Sequence, residues 1–416
     1  MKNLFRKNSA FTIVELLITI AIVIILASSV VLYLNPVQRL AEGRDSRRTN
    51  ELNQISAALR LVYNQGKIKG NSQVVYLSLP DSSATCGSYS LPQLPSGWSY
   101  ACAPSATYLN VDGTGWIPVN FNVIPGGSTL SFIPADPRNT QDFYYAYVTD
   151  PTDHTFVVTS LLESEKHMKL AAAKDNGYDA GRYEVGSKVA LWGDAAGLVA
   201  YWPLNEGSGS VIHDYSSSAA NLTAYSLVNW VAGKNGPGVQ MDPTISTGCT
   251  NQNAGIYSNS LPAAIKNLPA GKFTLSWWNY LPSNSGVARV HLATTIPVTS
   301  CGNCSIWNRV NSVTTNASGY SSASLTYSAP SINVWHHFAY TFDPISGQSY
   351  MYVDGKQTAS GALIAGGNYG TIQWVGIGVY TPSCVDSIPG QILNHVRLYN
   401  RLLSPVEIQS AYSSER

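Results

Sequence analysis

From Phe11 to Leu34 the chain is almost unbroken apolar sequence, interrupted by one charge, Glu15. A run of that length is enough for a bilayer-spanning helix, which needs ~20 residues. A lone carboxylate in hydrocarbon costs ~2.5–3.5 kcal/mol on insertion scales, so Glu15 reads as functional rather than incidental. Lys2, Arg6 and Lys7 precede the run and Pro36 follows it. The pattern then becomes amphipathic: Leu52, Ile55, Leu59 and Val62 fall at three- and four-residue spacing, with Glu51, Gln54 and Arg60 off the stripe. That periodicity predicts a helix ending near Gly66. Pro36 removes a backbone hydrogen bond and Gly43 weakens the helix further, so a long helix broken or bent in its middle is expected.

From Val74 to about Gly186 the sequence reads as short strands and turns, with two neighbouring strands over Asp142–Tyr147 and His154–Leu162. Lys166–Lys174 fits either a helix or a surface excursion. The texture changes near Lys188–Gly197. Beyond it, Lys272–Tyr280, Val334–Phe342 and Gln348–Val353 are rich in aromatic and β-branched residues, as strands are. Asp354-Gly355 marks a hairpin. Ser404-Pro405-Val406-Glu407 is a capping box with proline at the first helical position, so a short helix ends the chain.

Two resemblances organise these elements. A basic leader, a small residue, Phe11, and glutamate at the fifth position from that Phe together resemble the N-terminus of a type IV prepilin. The resemblance implies cleavage by a prepilin peptidase between Ala10 and Phe11 and methylation of the new Phe11 amine. It also implies a role for Phe11 and Glu15 in assembly with other pilin subunits. Ala10 departs from the glycine most members carry. A plain membrane anchor and a secretory signal peptide are the competing readings, although the run exceeds the ~7–15 residues of a signal core. Leader and flank are both basic, so charge places the N-terminus in the cytoplasm only weakly.

In the second half, GLVAYWPLNEGSG (197–209), HDYSS (213–217), GPGVQMD (236–242), FTLSWW, WHHFAYTFD, YMYVDGK and HVRLYNRLLSPVEIQSAY follow one another in the order of the laminin-G-like, concanavalin A-like jelly rolls. Asn394-His395 stands where that family often has an acidic pair. Together these readings partition the chain into a prepilin leader (1–10), a transmembrane and assembly helix (11–34), a pilin-like soluble domain (35–190) and a jelly roll (196–416). The expected fold is an α+β pilin-like domain, with a long N-terminal helix and a small antiparallel sheet, followed by an all-β jelly-roll sandwich.

Composition narrows the chemistry. Charged residues make up 12% of 416 and the net charge is +1. The one basic run, Arg44–Arg48, is not interleaved with aromatics, so no nucleic-acid partner is indicated. Six cysteines suit an exported protein with disulfides. Cys86 and Cys102 enclose a Pro-, Gly- and Ser-rich loop and form a local pair. Cys249, Cys301, Cys304 and Cys384 leave three connectivities open, and Cys301–Cys304 lacks the second ligand pair of a zinc site. Glycoside hydrolysis generally needs two closely placed carboxyl groups. No acid pair two to four residues apart occurs from Glu206 onward, nor is there an HExxH, P-loop or GxSxG motif. A binding protein, not an enzyme, is expected.

Trp307 and Trp374 are candidate sugar-stacking residues, while Trp202, Trp277 or Trp278, and Trp335 are assigned to the core. Asp214, Asp242 and Asp386 are candidate Ca²⁺ ligands, each equally suited to capping a turn; no other cofactor is indicated. The expected product is a minor or tip pilin-like subunit in the inner membrane, its C-terminal part outside at the pilus or cell surface. Its jelly roll would bind a glycan or surface protein. The alternatives are a pseudopilin of a type II-like secretion system, an anchored lectin-like protein, and an exported glycan-active enzyme.

Overall fold

The computed structural model describes residues 12–34, 36–95, 97–171, 175, 177, 179, 181–244, 255–268, 271–283, 290–293, 305–309, 311–316, 323–362, 371–381, 384–385 and 388–415. Helix α1 spans Ile13–Leu34 and α2 spans Pro36–Tyr63, so the expected long helix is described as two. Pro36 stands at the first position of α2, where its missing N–H is an orphan in any helix. Leu52, Ile55, Leu59 and Val62 are all fully buried, as their spacing demands. The Gly66 N–H closes the last turn on Tyr63 O with φ near +63°, a left-handed stop.

The α2 stripe packs on one face of a five-stranded sheet ordered β2 (Ser99–Ala103), β1 (Val74–Pro80), β3 (Tyr145–Asp150), β4 (Thr155–Leu161), β5 (Arg182–Gly186). Tyr145, Tyr147, Phe156 and Val158 meet the helix, and Val75, Leu77, Ala146 and Val157 fill the other face. β1 and β2 run parallel, a departure from a purely antiparallel sheet. The Cys86–Cys102 disulfide ties the loop between them. Between β4 and β5 lies a short helix, α3 (Glu165–Leu170), where the sequence left two readings.

Charge is buried in the same interface. Arg48, fully enclosed, makes a bidentate pair with Asp136 at 2.7 and 2.9 Å and also bonds Asp45 at 2.8 Å and Glu163 at 2.5 Å. Asp45 in turn accepts the backbone N–H groups of Glu163 and Ser164. One guanidinium thus joins α2, the 136 loop and the chain leaving β4.

α4 (Ala190–Ala195) leads through Gly197, at φ near +76°, straight into the sandwich. A Cβ at Gly197 would run into Asn400 and Arg401, so only glycine fits this junction. One sheet of the sandwich is ordered, from edge to edge, 356–362, 348–353, 335–342, 273–280, 392–399, 237–241, 228–232, with 198–202 also paired to 392–399. The other runs 323–326, 312–316, 305–309, 290–293, 374–377, 256–258, 222–224, 211–212. Their facing sides bury Trp202, Phe273, Trp277, Phe338, Tyr340, Val375 and Ile377 with the short helix α5 (Ala263–Lys266) at one end. Trp335 is only half-buried, at the strand's first position.

The terminal helix α6 (Pro405–Glu415) starts with the expected capping box: Ser404 N–H donates to Glu407, and Glu407 N–H donates to Ser404 Oγ. It covers the outer face of the first sheet through Ile408 and also reaches the N-terminal unit, where Ser410 Oγ donates to Gly181 O. Two arginines hold it. Arg401 pairs bidentately with Glu407 and donates Nε to Ala196 O at 2.5 Å; Arg397 pairs with Glu415, whose other oxygen accepts Trp278 Nε1–H at 2.6 Å.

Two predictions follow from these buried charges. Arg48→Met leaves Asp45 and Asp136 enclosed without their partner, and removing one member of a buried pair costs ~3–5 kcal/mol; chemical denaturation reads that loss, and a change below ~1 kcal/mol contradicts the clamp. The second concerns acid. Burial opposes charge on Glu407 and Glu415, but Arg401 and Arg397 override it and hold both carboxyls at about 2, below the ordinary 4.5 of a glutamate. Burial holds His337 at about 4, below 6.5. The unfolded chain therefore binds more protons, for His337 between about 6.5 and 4 and for the glutamates between about 4.5 and 2. Stability falls with pH across both windows. The melting temperature should decline from pH 6.5 downward, and His337→Phe should remove the part of the decline above pH 4; an unchanged profile in that variant sinks the assignment.

Candidate functional site

α1 makes no core of its own. Its apolar side chains from Ile13 to Leu26 are exposed, Ile13 by 78% and Val23 by 62%. Among the described residues no helix is long and apolar enough to cross a membrane. Glu15 sits in the first turn and accepts the N–H and Oγ1–H of Thr12, both at 2.9 Å, while Thr12 Oγ1 accepts the Glu15 N–H. It therefore caps the helix start. Ala10 and Phe11 lie outside the described residues.

The outer face of the second sheet carries the aromatic chemistry. Val290, Leu292, Val375, Ile377 and Ile256 face the core. Strand alternation then places Gly376 and Tyr257, which oppose one another in the ladder, on the outer side. A Cβ on Gly376 would collide with the six-membered ring of Trp374, so the indole occupies the space over the glycine. Tyr257 packs on Trp374 with ring centres 6.0 Å apart, and Tyr225 stacks on Tyr257 at 4.3 Å and 13°. Exposure climbs along the stack, from 1% for Trp374 through 7% for Tyr257 to 36% for Tyr225. Burial first, then the hydrogen bond with Tyr225, pushes the Tyr257 phenol up to about 12, so that ring is neutral at ordinary pH.

Trp374 is thus corrected from a surface platform to the buried base of one. The ring face that meets solvent belongs to Tyr225, which the sequence reading missed. Its position just past the strand 222–224 and the small Gly376 inside an aromatic strand were the available signals. Trp307 lies in the strand 305–309 with its backbone opposite His291, which in turn opposes Gly376. Backbone register therefore puts Trp307 and the stack on one row.

The candidate calcium ligands have other work. Asp214 accepts the N–H groups of Tyr201, Ser216 and Ala220 and the Ser216 hydroxyl, all at 2.8 Å. Asp242 accepts the Thr244 N–H and hydroxyl at 2.8 and 2.6 Å, which hold its carboxyl below the usual range. Both close turns, the second of the two roles their sequence allows: Asp214 has both carboxylate oxygens engaged by fixed donors, and Asp242 closes its turn through Oδ1. Asp386, Cys249, Cys301 and Cys304 lie outside the described residues, as does the side chain of Cys384. Among the described residues no group of three or more His, Cys, Asp or Glu is placed to hold a metal ion. Asn394 is buried where an acidic pair was missing: its amide donates to Pro203, Leu204 and Pro237 carbonyls and its oxygen accepts the Lys234 N–H. Neutral and two-sided, it joins three backbone segments that a carboxylate, an acceptor only, could not.

Residues 253–409 match the model of the concanavalin A-like lectin/glucanases superfamily, laminin-G type 3. No curated protein matches the chain. Among solved structures, the chain resembles the binding domain of Paraclostridial Mosquitocidal Protein 1 at 16% identity and TM-score 0.39, with 52% of each chain covered. It resembles the binding domain of Botulinum neurotoxin DC, solved with rat synaptotagmin II, at 14% identity and TM-score 0.40, with 53% of this chain and 52% of that one covered. The Botulinum neurotoxin type C structure described through its interaction with two ganglioside molecules gives 13% and 0.40 over the same shares. The chain spans about half the length of these neighbours, and likeness at that level decides nothing about a ligand. The family match, which falls inside the two-sheeted sandwich, identifies that part of the chain as a concanavalin A-like jelly-roll domain.

Proposed function

We propose that this chain is an exported, type IV pilin-like subunit whose jelly roll presents a binding surface for a glycan at the cell surface. The observation that carries the binding half is the graded stack Trp374–Tyr257–Tyr225, which ends in an exposed ring face on a lectin-type sandwich. A flat aromatic face on a rigid base is suited to the apolar face of a pyranose ring. The assembly half is supported by the exposed apolar α1, the basic leader and the Phe11–Glu15 spacing. The Phe11 amine left by cleavage lies about one helical turn from Glu15, ~6 Å at 1.5 Å rise. In a bundle of such helices the carboxylate of one subunit meets the amine of the next, and two charges costly in hydrocarbon pair inside protein. Binding without turnover at this stack fits its residues, which include no carboxylate pair.

Binding is tested on a glycan array with the full chain. Tyr225→Ala should abolish any glycan signal while leaving the melting temperature within a few degrees of wild type. Trp374→Ala, by contrast, should destabilise by ~3–5 kcal/mol, as for a buried tryptophan. Retention of glycan binding by Tyr225→Ala removes the stack from the site.

Assembly is tested in cells. The mature chain should begin at Phe11, and Glu15→Leu should be inserted and cleaved normally yet be depleted at least ~10-fold from sheared filaments, equivalent to the ~1.4 kcal/mol lost with the charge pair. A mature N-terminus beyond Ser28, or normal incorporation of the leucine variant, would overturn the pilin-like half and leave the binding half standing.

A further inference from the structure

At the rim of the sandwich, where the loop at 331 meets the WHHFAYTFD strand and the Asp354-Gly355 hairpin, three side chains form a relay. The loop before the strand 335–342 carries Ser331, whose Oγ lies 3.0 Å from Nε2 of His336. The other ring nitrogen, Nδ1, lies 2.7 Å from Asp354 Oδ2. We propose that Ser331, His336 and Asp354 form a nucleophilic triad that transfers small acyl groups from oxygen esters to water.

The roles follow from the contacts. With its proton on Nδ1, His336 donates to the Asp354 carboxylate, and the Nε2 lone pair is left to accept the Ser331 hydroxyl proton. Asp354 is held firmly: Oδ1 accepts the His337 N–H at 3.0 Å, and its own N–H donates to His337 O at 2.8 Å. It also opens the Asp354-Gly355 hairpin, so the turn that shapes the sheet edge also aims the carboxylate. The imidazole is 7% exposed and set edge-on to Phe338, at 6.4 Å between centres. Ser331 is exposed, and the neighbouring Ile332 and Val334 are 43% and 45% exposed, giving an apolar surface beside the nucleophile. His336 Nε2 also lies 3.0 Å from the Ser331 carbonyl oxygen. That oxygen cannot bond to the bare lone pair, but it accepts the N–H once Nε2 is protonated, so the imidazolium formed during reaction has a partner on each nitrogen.

In the first step Ser331 Oγ bonds to the ester carbonyl carbon as its proton passes to His336 Nε2. The ester C–O bond then breaks, and the leaving oxygen takes that proton and departs as an alcohol. Water attacks the acyl-serine, passing one proton to Nε2; the Oγ–carbon bond breaks, Oγ recovers the proton, and a carboxylic acid leaves. No other reactant is required.

The test uses the full chain in detergent micelles, treated with a fluorophosphonate probe and, separately, with p-nitrophenyl acetate. Peptide mapping should locate the phosphonate on Ser331. Ser331→Ala should abolish labelling, and His336→Gln should slow labelling and acetate hydrolysis ~100-fold, the contribution of a general base. Ser331 is a surface residue, so its alanine variant remains folded, as circular dichroism would verify, even if His336→Gln does not. Wild-type protein that labels no more than Ser331→Ala overturns the proposal. So does labelling that is unaffected in a folded His336→Gln variant; a fall in melting temperature without labelling would make His336 a clamp between loop and hairpin only.

Discussion

The guanidinium of Arg401 sits where the two halves of the chain meet. It donates to the last carbonyl before the Gly197 junction, pairs with Glu407 at the start of α6, and is fully enclosed. Because Glu407 also closes the capping box of α6, the helix start, the junction and the sandwich edge share one buried pair. Arg397 repeats the device at the other end of α6 through Glu415, and Arg48 repeats it in the N-terminal unit. A buried pair contributes modestly to net stability, since desolvation offsets attraction, but it tolerates only one geometry. These arginines therefore set how helices lie on sheets more than how tightly.

That geometry bears on how the two units are joined. One glycine links α4 to the first sandwich strand, and α6 touches both units. A jelly roll joined in this way is carried at a set angle to α2 rather than swung on a tether.

The outer face of the second sheet illustrates how little room a surface site requires. Gly376 offers no side chain, Trp374 folds over it, and Tyr257 and Tyr225 pile on in turn. Each ring is supported by the one below, so the exposed ring rests on a packed base. The Ser331–His336–Asp354 relay uses the opposite economy: residues already needed for a loop and a hairpin are brought into line by the strand register.

Local pattern alone determined a good deal. The Leu52–Val62 stripe, the Asp354-Gly355 turn, the Ser404–Glu407 capping box and the Cys86–Cys102 pair each depend on neighbours within a few turns or one loop, so spacing and turn chemistry suffice to read them. The motif order from Gly197 to Tyr412 was enough for the jelly roll, because a sandwich needs its alternating core positions in a set sequence. What tertiary structure decided was which side chains meet across the chain. Trp374 reads like any exposed tryptophan until Tyr225 and Tyr257, more than a hundred residues earlier, cover it. Asp214 resembles a cation ligand until Tyr201 and Ala220 bring their N–H groups to it. Arg48 belongs to a basic surface run in sequence and to the centre of the fold in space, and Ser331 is remote from Asp354 until a hairpin closes. Burial and partnership are properties of packing between distant segments, and no local period encodes them.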